Sequence, residues 1–327
     1  MIDLKKNISL AKHTTFKIGG PAKYFCSAKR KEDLIEAIKM AKQKNLPFFI
    51  LGNGSNILFS DKGYKGLIIK SQISNLKSQK NKKDIWAEAR VKLKDLVKLS
   101  TESSLTGLEW AAGIPGTVGG AVWGNAQAFN SKMSNLVKEV EVLDVKTLEI
   151  NPSASLRING ERSRTIKNLS KKQCQFSNKN SIFKKKRNFI ILSVILKLKK
   201  GDERDIQKKI KEYLKYRRKN HPLNFPSAGC AFKNYQGEIK NQKLLEDFSE
   251  LKKFNKLGII PSAYLIEKCG LKGRQIGGAQ ISEKHANFII NLGNAKSKDV
   301  LVLIKLIKQK VKNKFGIVLK KEIEVVK

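Results

Sequence analysis

Two glycine-rich tracts carry the first chemistry that the sequence offers. Leu51-Gly52-Asn53-Gly54-Ser55-Asn56 follows directly on the short apolar run Pro47-Phe48-Phe49-Ile50-Leu51. Glycines at such a turn permit positive φ and leave backbone N–H groups bare. Successive amides can then converge on a phosphate, with Ser55 and Asn56 adding side-chain donors. Read alone, the motif is more commonly a plain tight turn, and it is not the G-x-G-x-x-G dinucleotide fingerprint, which needs Gly where Ile57 stands. The second tract, Gly113-Ile114-Pro115-Gly116-Thr117-Val118-Gly119-Gly120-Ala121, lies in a stretch with six glycines between Gly107 and Gly124. That many glycines cost chain entropy, which close backbone approach to a second phosphate or a flat ring would offset; tight packing of two elements is the alternative. Taken together, about sixty residues apart, the tracts fit a pyrophosphate-bearing cofactor bound across two subdomains.

The remaining reactive side chains are few. Cys26, Cys174, Cys230 and Cys269 lie far apart without a C-x-x-C pair, and the chain has three histidines. This argues against a disulfide framework and against a metal site, so each thiol is judged alone. The formal net charge of +39 would attract any polyanion. Yet Lys outnumbers Arg 57 to 10 and aromatics are only 7%, whereas base readers favour Arg forks and clustered rings. Abundant Lys, Asn and Ile also follow from AT-rich codons. The charge therefore reads as a solvated surface, with no specific nucleic-acid partner.

Alternating helix and strand signals position these residues. Residues 32–44 place Leu34, Ile35, Ile38 and Ala41 on one helical face, ahead of the strand 47–51. Leu93, Leu96 and Val97 mark a second amphipathic helix before the long glycine tract, and strand-like runs return at 137–145 and 189–198. Between them, residues 151–172 are polar and hold three of the ten arginines, which predicts a surface excursion. A basic helix at 204–219 carries Ile206, Ile210 and Leu214 and predicts a domain boundary. Ser297 can cap a helix with the stripe Val300, Ile304, Ile307, Val311 and Phe315, stopped by Gly316 and followed by a strand over 317–326. A length of 327 residues predicts roughly two domains. No apolar run approaches the roughly 20 residues that span a bilayer, and the start lacks the apolar core of a secretion signal. These features predict a cytoplasmic protein without a membrane partner.

Five motifs then resemble, in order and spacing, one family. They are His13-Thr14-Thr15-Phe16-Lys17-Ile18-Gly19-Gly20, the Gly52–Asn56 turn, the 113–120 tract, Ser227-Ala228-Gly229-Cys230-Ala231-Phe232-Lys233-Asn234, and Gly277-Gly278-Ala279 through Ser282-Glu283-Lys284-His285-Ala286-Asn287-Phe288. With the closing Phe315-Gly316-Ile317-x-Leu319-x-x-Glu322, the chain resembles the UDP-N-acetylenolpyruvoylglucosamine reductase (MurB) family nearly end to end. The resemblance implies an α+β, two-subdomain FAD-binding fold of the vanillyl-alcohol-oxidase/PCMH type, not a Rossmann fold, with a C-terminal α+β substrate domain. The implied domains are 1–70 and 71–204 for FAD and 205–327 for substrate. It also implies an oxidoreductase of peptidoglycan precursor synthesis that uses FAD and NADPH to reduce UDP-N-acetylglucosamine enolpyruvate to UDP-N-acetylmuramate, acting as a monomer. The alternatives are a catalytically impaired flavoprotein of this kind or a basic nucleic-acid-binding protein.

Hydride addition to the terminal carbon of an enol ether conjugated to a carboxylate builds enolate charge on that carboxylate, and an acid must protonate the adjacent carbon. The site therefore needs a positioned proton donor and electrophilic groups. In the family the donor is a Ser, at the position of Cys230. A thiol, with a reference pKa of about 8.5, is a plausible substitute, although a lone Cys is usually a small buried hydrophobe. The resemblance makes Glu322 the assisting acid, with Glu324 as rival, Lys179 the catalytic clamp on the enolate carboxylate, and Lys233, Asn234, Lys179 and Ser181 substrate contacts. The FAD contacts it implies are Gly52, Asn53, Gly54, Ser55 and Asn56 with Gly113, Ile114, Pro115, Gly116, Thr117, Gly119, Gly120 and Ala121. His285 is assigned only to proximity. The chain departs from the family where Asn178-Lys179 replaces Tyr-Arg, because Lys179 keeps the charge but loses the guanidinium fork. Further departures are Lys17 for Arg, Gln127 for Gly, Tyr235 for Pro, and an apparent insertion at 238–260.

Overall fold

The computed structural model describes residues 2–78, 83–148 and 165–327. The chain forms two compact units, and the division is not linear. The first comprises Met1–Ile8, Ala22–Asn53 and Lys65–Tyr216; the second comprises Ser9–Pro21, Gly54–Tyr64 and Arg217–Lys327. The basic helix, Glu203–Asn220, carries the division, which falls after Tyr216.

In the first unit the helix Lys31–Gln43 buries Leu34, Ile35, Ala37, Ile38 and Ala41. They share a core with Leu67 and Ile69 of the strand Tyr64–Ser71, which runs parallel to Phe48–Leu51. The apolar run 48–51 is thus a strand, as its pattern predicts. A second core lies on an antiparallel five-stranded sheet ordered Ile166–Ser170, Val137–Asp144, Phe189–Lys197, Asp84–Glu88, Leu76–Ser78. Leu93, Leu96 and Val97 of the helix Leu93–Glu102 join it, with Val118 and Val122 of the short helix Val118–Trp123.

The expected excursion at 151–172 lies outside the described residues up to position 164. Beyond it, Ile166–Ser170 is an edge strand paired with 139–143 of its neighbour. Its polar character is that of a strand with one face in water, which reads as a loop in sequence.

The second unit holds an antiparallel sheet ordered Ser227–Cys230, Phe288–Asn291, Ala279–Ile281, Gln275–Ile276. The helix Ser297–Phe315 packs Val300, Leu303, Ile304, Ile307, Val311 and Phe315 into its core and ends at Gly316 with φ 69°. Phe16, Ile18 and Leu58 join that core, although they come from the N-terminal fifth of the chain. The cap differs from the expectation. Asp299 accepts from the Lys296 N–H at 2.9 Å, and Ser297 instead donates its N–H and hydroxyl to Asp61 at 2.7 and 2.8 Å. A carboxylate 236 positions away takes the serine that local pattern makes a cap.

The expected final strand also shortens to Glu324–Val326, parallel to Ile57–Phe59. Ile317, Leu319 and Ile323 are buried ahead of it, so the apolar pattern marks burial rather than continuous pairing. The stretch 238–260, expected as an insertion, folds as two short helices, Gln242–Asp247 and Glu250–Lys256, closed by the pairing of Tyr235–Gln236 with Ile259–Ile260. Among the described residues no helix is long and apolar enough to cross a membrane.

Candidate active site

In the first unit the two glycine tracts meet. A Cβ on Gly52 would stand 3.0 Å from the Thr117 hydroxyl oxygen, and the Asn53 side-chain amide donates to the Pro115 carbonyl at 2.6 Å. Thr117 precedes the helix Val118–Trp123, and its hydroxyl accepts from the Gly120 N–H at 3.3 Å. Gly119 packs on Ala89 so closely that a Cβ would lie 2.7 Å from the alanine's methyl, and Gly113 takes φ 77°. The contacts at Gly52 and Gly119 are those of the tight-packing reading. Near the tract one Arg90 guanidinium nitrogen is buried with no acceptor among the described residues. A buried cationic donor without an acceptor, carried beside two glycine tracts, fits the diphosphate of FAD. Arg90 has no signal in sequence beyond being one of ten arginines at the end of an apolar strand.

The turn's second half, Gly54 to Asn56, belongs to the second unit. Gly54 has φ 64°, its carbonyl accepts from the Thr15 N–H at 3.1 Å, and a Cβ there would collide with the His13 carbonyl. Thr15 also donates its hydroxyl to the Ser227 carbonyl at 2.8 Å, which ties the His13–Gly20 motif to the strand bearing Cys230. Asn56 donates to the Glu322 carbonyl at 3.2 Å and accepts from the Glu324 N–H at 3.0 Å.

Lys179 lies in the first unit, in a tight turn anchored at both sides. The Asn125 amide donates to the Ser177 carbonyl at 2.9 Å, and the fully buried Ser181 hydroxyl donates to the Trp123 carbonyl at 2.7 Å. Both anchors sit at the end of the glycine tract, so they place Lys179 next to it. The Lys179 ammonium is 3.4 Å from the Gln127 carbonyl, and the Gln127 amide donates to Asn178 Oδ1 at 3.0 Å. Three positions at which the chain departs from the family pattern thus bond one another.

The second unit brings Cys230 and Glu322 onto neighbouring extended segments. Glu322 donates its N–H to the Ala231 carbonyl at 2.8 Å, Phe232 bridges Lys321, and the Lys233 N–H donates to the Lys320 carbonyl at 2.9 Å. Gly229, with φ 75°, makes the bulge that turns the strand just before Cys230. Buried Asn287 fixes the same strand: its carbonyl accepts from Ala231 at 2.7 Å, and its side chain exchanges bonds of 2.9 and 2.8 Å with Phe232. Asn234 Oδ1 accepts from the Ser262 N–H at 3.2 Å, which leaves its amide nitrogen to donate elsewhere.

Burial sets two of the four cysteines apart. Cys26 and Cys174 are buried, and desolvation pushes their pKa values up to about 11 and about 12. Burial likewise raises Cys269. Cys26 and Cys174 are the small hydrophobes of the bland reading, whereas Cys230 and Cys269 are half-buried, Cys230 at the bulge. His285 packs edge-on against His221, ring centroids 5.4 Å apart, and accepts from the Asn287 N–H at 3.3 Å. Burial lowers both imidazoles, His221 to about 4, with the charges of His285, Arg217 and Lys284 adding to the effect.

Residues 22–147 match the FAD binding domain family, and residues 221–326 match the UDP-N-acetylenolpyruvoylglucosamine reductase C-terminal domain family. The chain is 39% identical over 321 residues to the UDP-N-acetylenolpyruvoylglucosamine reductase of Caldanaerobacter subterraneus subsp. tengcongensis, covering 98% of this chain and 92% of that one. It is 38% identical over 328 residues to the enzyme of that name from Caldicellulosiruptor bescii, covering 99% and 91%. The crystal structure of UDP-N-acetylenolpyruvylglucosamine reductase (MurB) from Thermus caldophilus aligns over 100% of both chains, with a TM-score of 0.74 and 28% identity.

Proposed function

The chain belongs to the UDP-N-acetylenolpyruvoylglucosamine reductase family, and from that premise we propose how its own residues carry the reaction. The fold is α+β and FAD-binding, as the motifs imply, and the activity is the FAD-dependent reduction of UDP-N-acetylglucosamine enolpyruvate with NADPH in peptidoglycan precursor synthesis. Bound FAD supplies the relay by which a hydride from NADPH reaches the enolpyruvyl double bond. The protein must seat that group, meet the charge that develops on the substrate carboxylate, and deliver one proton.

Gly52 to Asn56 and the 113–121 tract seat the cofactor through bare backbone amides. Lys179 meets the carboxylate charge as a point cation, and Ser181 positions it through the Trp123 carbonyl. Cys230 holds the proton destined for the carbon adjacent to the site of hydride addition, and Glu322 assists it. Lys233 and Asn234 contact the substrate from the same strand end. The observation that carries this reading is the Ala231–Glu322 hydrogen bond, which sets a thiol and a carboxylate on adjacent extended segments. NADPH and a UDP-sugar are cytoplasmic metabolites, and this supports a cytoplasmic location.

The bonding of Gln127, Asn178 and Lys179 to one another favours a second reading, a slower enzyme whose carboxylate clamp has been rebuilt around Lys. The test is rapid mixing of the purified holoprotein. NADPH should bleach the yellow flavin, and UDP-N-acetylglucosamine enolpyruvate should restore the colour with formation of UDP-N-acetylmuramate. Bleaching without recolouring would exclude the reductase reading, and slow recolouring would select the second.

A further inference from the structure

One nitrogen of the Arg90 guanidinium is buried with no acceptor among the described residues. A guanidinium is charged at every accessible pH, so burying one of its nitrogens without an acceptor costs free energy that some partner normally returns. The burial of one Arg90 nitrogen without an acceptor is therefore an imbalance in the protein as it stands. Desolvation, with no carboxylate opposing it, lowers the pKa of this guanidinium. A second half-buried cation lies near enough to add to the strain: burial and the charge of Arg90 both lower the pKa of Lys70.

The backbone places these two side chains at the two glycine tracts. The carbonyls of Ala89 and Val91, on either side of Arg90, accept from the N–H groups of Gly119 and Val118 at 2.8 and 2.9 Å. Arg90 is therefore carried on a segment that runs along the second tract. Lys70 is the strand partner of Leu51, the residue before Gly52. The tracts touch where Gly52 faces Thr117. Two cations are thus carried on segments bonded to the two tracts, one to each.

We propose that Arg90, supported by Lys70, is a cationic anchor for the diphosphate of FAD, a contact beyond those of the two glycine tracts. The proposal rests on the flavin reading above. A diphosphate carries two negative charges and presents several acceptor oxygens, which offsets the repulsion between the two cations and fills the vacant donor.

The test uses the protein stripped of flavin and titrated with FAD and with riboflavin, which lacks phosphate, following flavin fluorescence. Arg90→Gln should weaken FAD binding about tenfold or more and leave riboflavin binding unchanged. Arg90→Lys should recover part of the loss, and Lys70→Gln should lose less than Arg90→Gln. Equal loss for both flavins would overturn the proposal, because Arg90 would then only shape the fold. Unchanged FAD affinity in Arg90→Gln would overturn it too. Should Arg90→Gln fail to fold, the FAD-to-riboflavin ratio of Lys70→Gln decides in the same way. Failure of the unaltered protein to bind FAD would instead overturn the flavin reading itself.

Discussion

The backbone N–H of Glu322 donates to the carbonyl of Ala231 at 2.8 Å, so the glutamate lies one segment across from the residue that follows Cys230. If Cys230 is the proton donor, Cys230→Ala leaves reduction by NADPH intact and slows reoxidation by the UDP-sugar by about 10²–10⁴-fold. Cys230→Ser keeps most of the turnover, since a hydroxyl can donate the same proton. Stopped-flow flavin absorbance separates the two half-reactions, and undiminished reoxidation in Cys230→Ala removes the thiol from the chemistry.

Gln127, Asn178 and Lys179 bond one another and so act as a unit. Lys179→Arg alone gains little, because the bond between the Gln127 and Asn178 side chains fixes the turn in the form that suits an ammonium. With Gln127→Gly and Asn178→Tyr added, that bond is gone, the turn can seat the guanidinium fork, and kcat rises by about tenfold. Steady-state rates for the single and triple variants give the coupling, and additive effects would show three independent positions.

Gly54 and Gly52 differ in what a methyl group would meet. Gly54→Ala imposes φ 64° on a side chain and drives its Cβ into the His13 carbonyl, so it destabilises by about 1–3 kcal/mol. Gly52→Ala meets only the Thr117 side chain, whose hydroxyl must leave the Gly120 N–H to make room, and costs about 0.5–1 kcal/mol. Denaturant unfolding of the two variants measures the order.

His221 makes stability depend on acidity. Its pKa falls from 6.5 to about 4 in the folded chain, so below pH 6.5 the unfolded state binds the extra proton and folding is disfavoured. The stabilisation present above pH 6.5 is lost as pH falls through about 4. It amounts to on the order of 1–2 kcal/mol after allowance for partial solvent exposure. His221→Gln should flatten the slope of Tm against pH in that window, and an unchanged slope would assign the acid sensitivity to other groups.

Local periodicity made the helices Lys31–Gln43 and Ser297–Phe315 and the strand Phe48–Leu51 legible, because each buries one continuous apolar face. It failed where a distant partner decides. Asp61 takes Ser297 from its expected cap, and Ile166–Ser170 reads as a loop because a solvated edge strand needs little apolar surface. Motif order located Cys230 and Glu322, but their adjacency depends on a hydrogen bond between residues 91 positions apart, which no window of sequence contains. Arg90 was invisible for a different reason. Its significance lies in a bond that it does not make, and only the surrounding burial exposes that.

The pairing of Ile57–Phe59 with Glu324–Val326 also sets a timetable for synthesis. A ribosome releases Phe16, Ile18 and Leu58 early, yet the core that buries them is completed by residues translated last. Until then these side chains stay without their final neighbours, a window in which a holdase chaperone has something to grip. A fragment restricted to 221–326 would lack Phe16, Ile18 and Leu58 and would emerge with an open seam. Supplying 9–21 and 54–64 as separate peptides should close it.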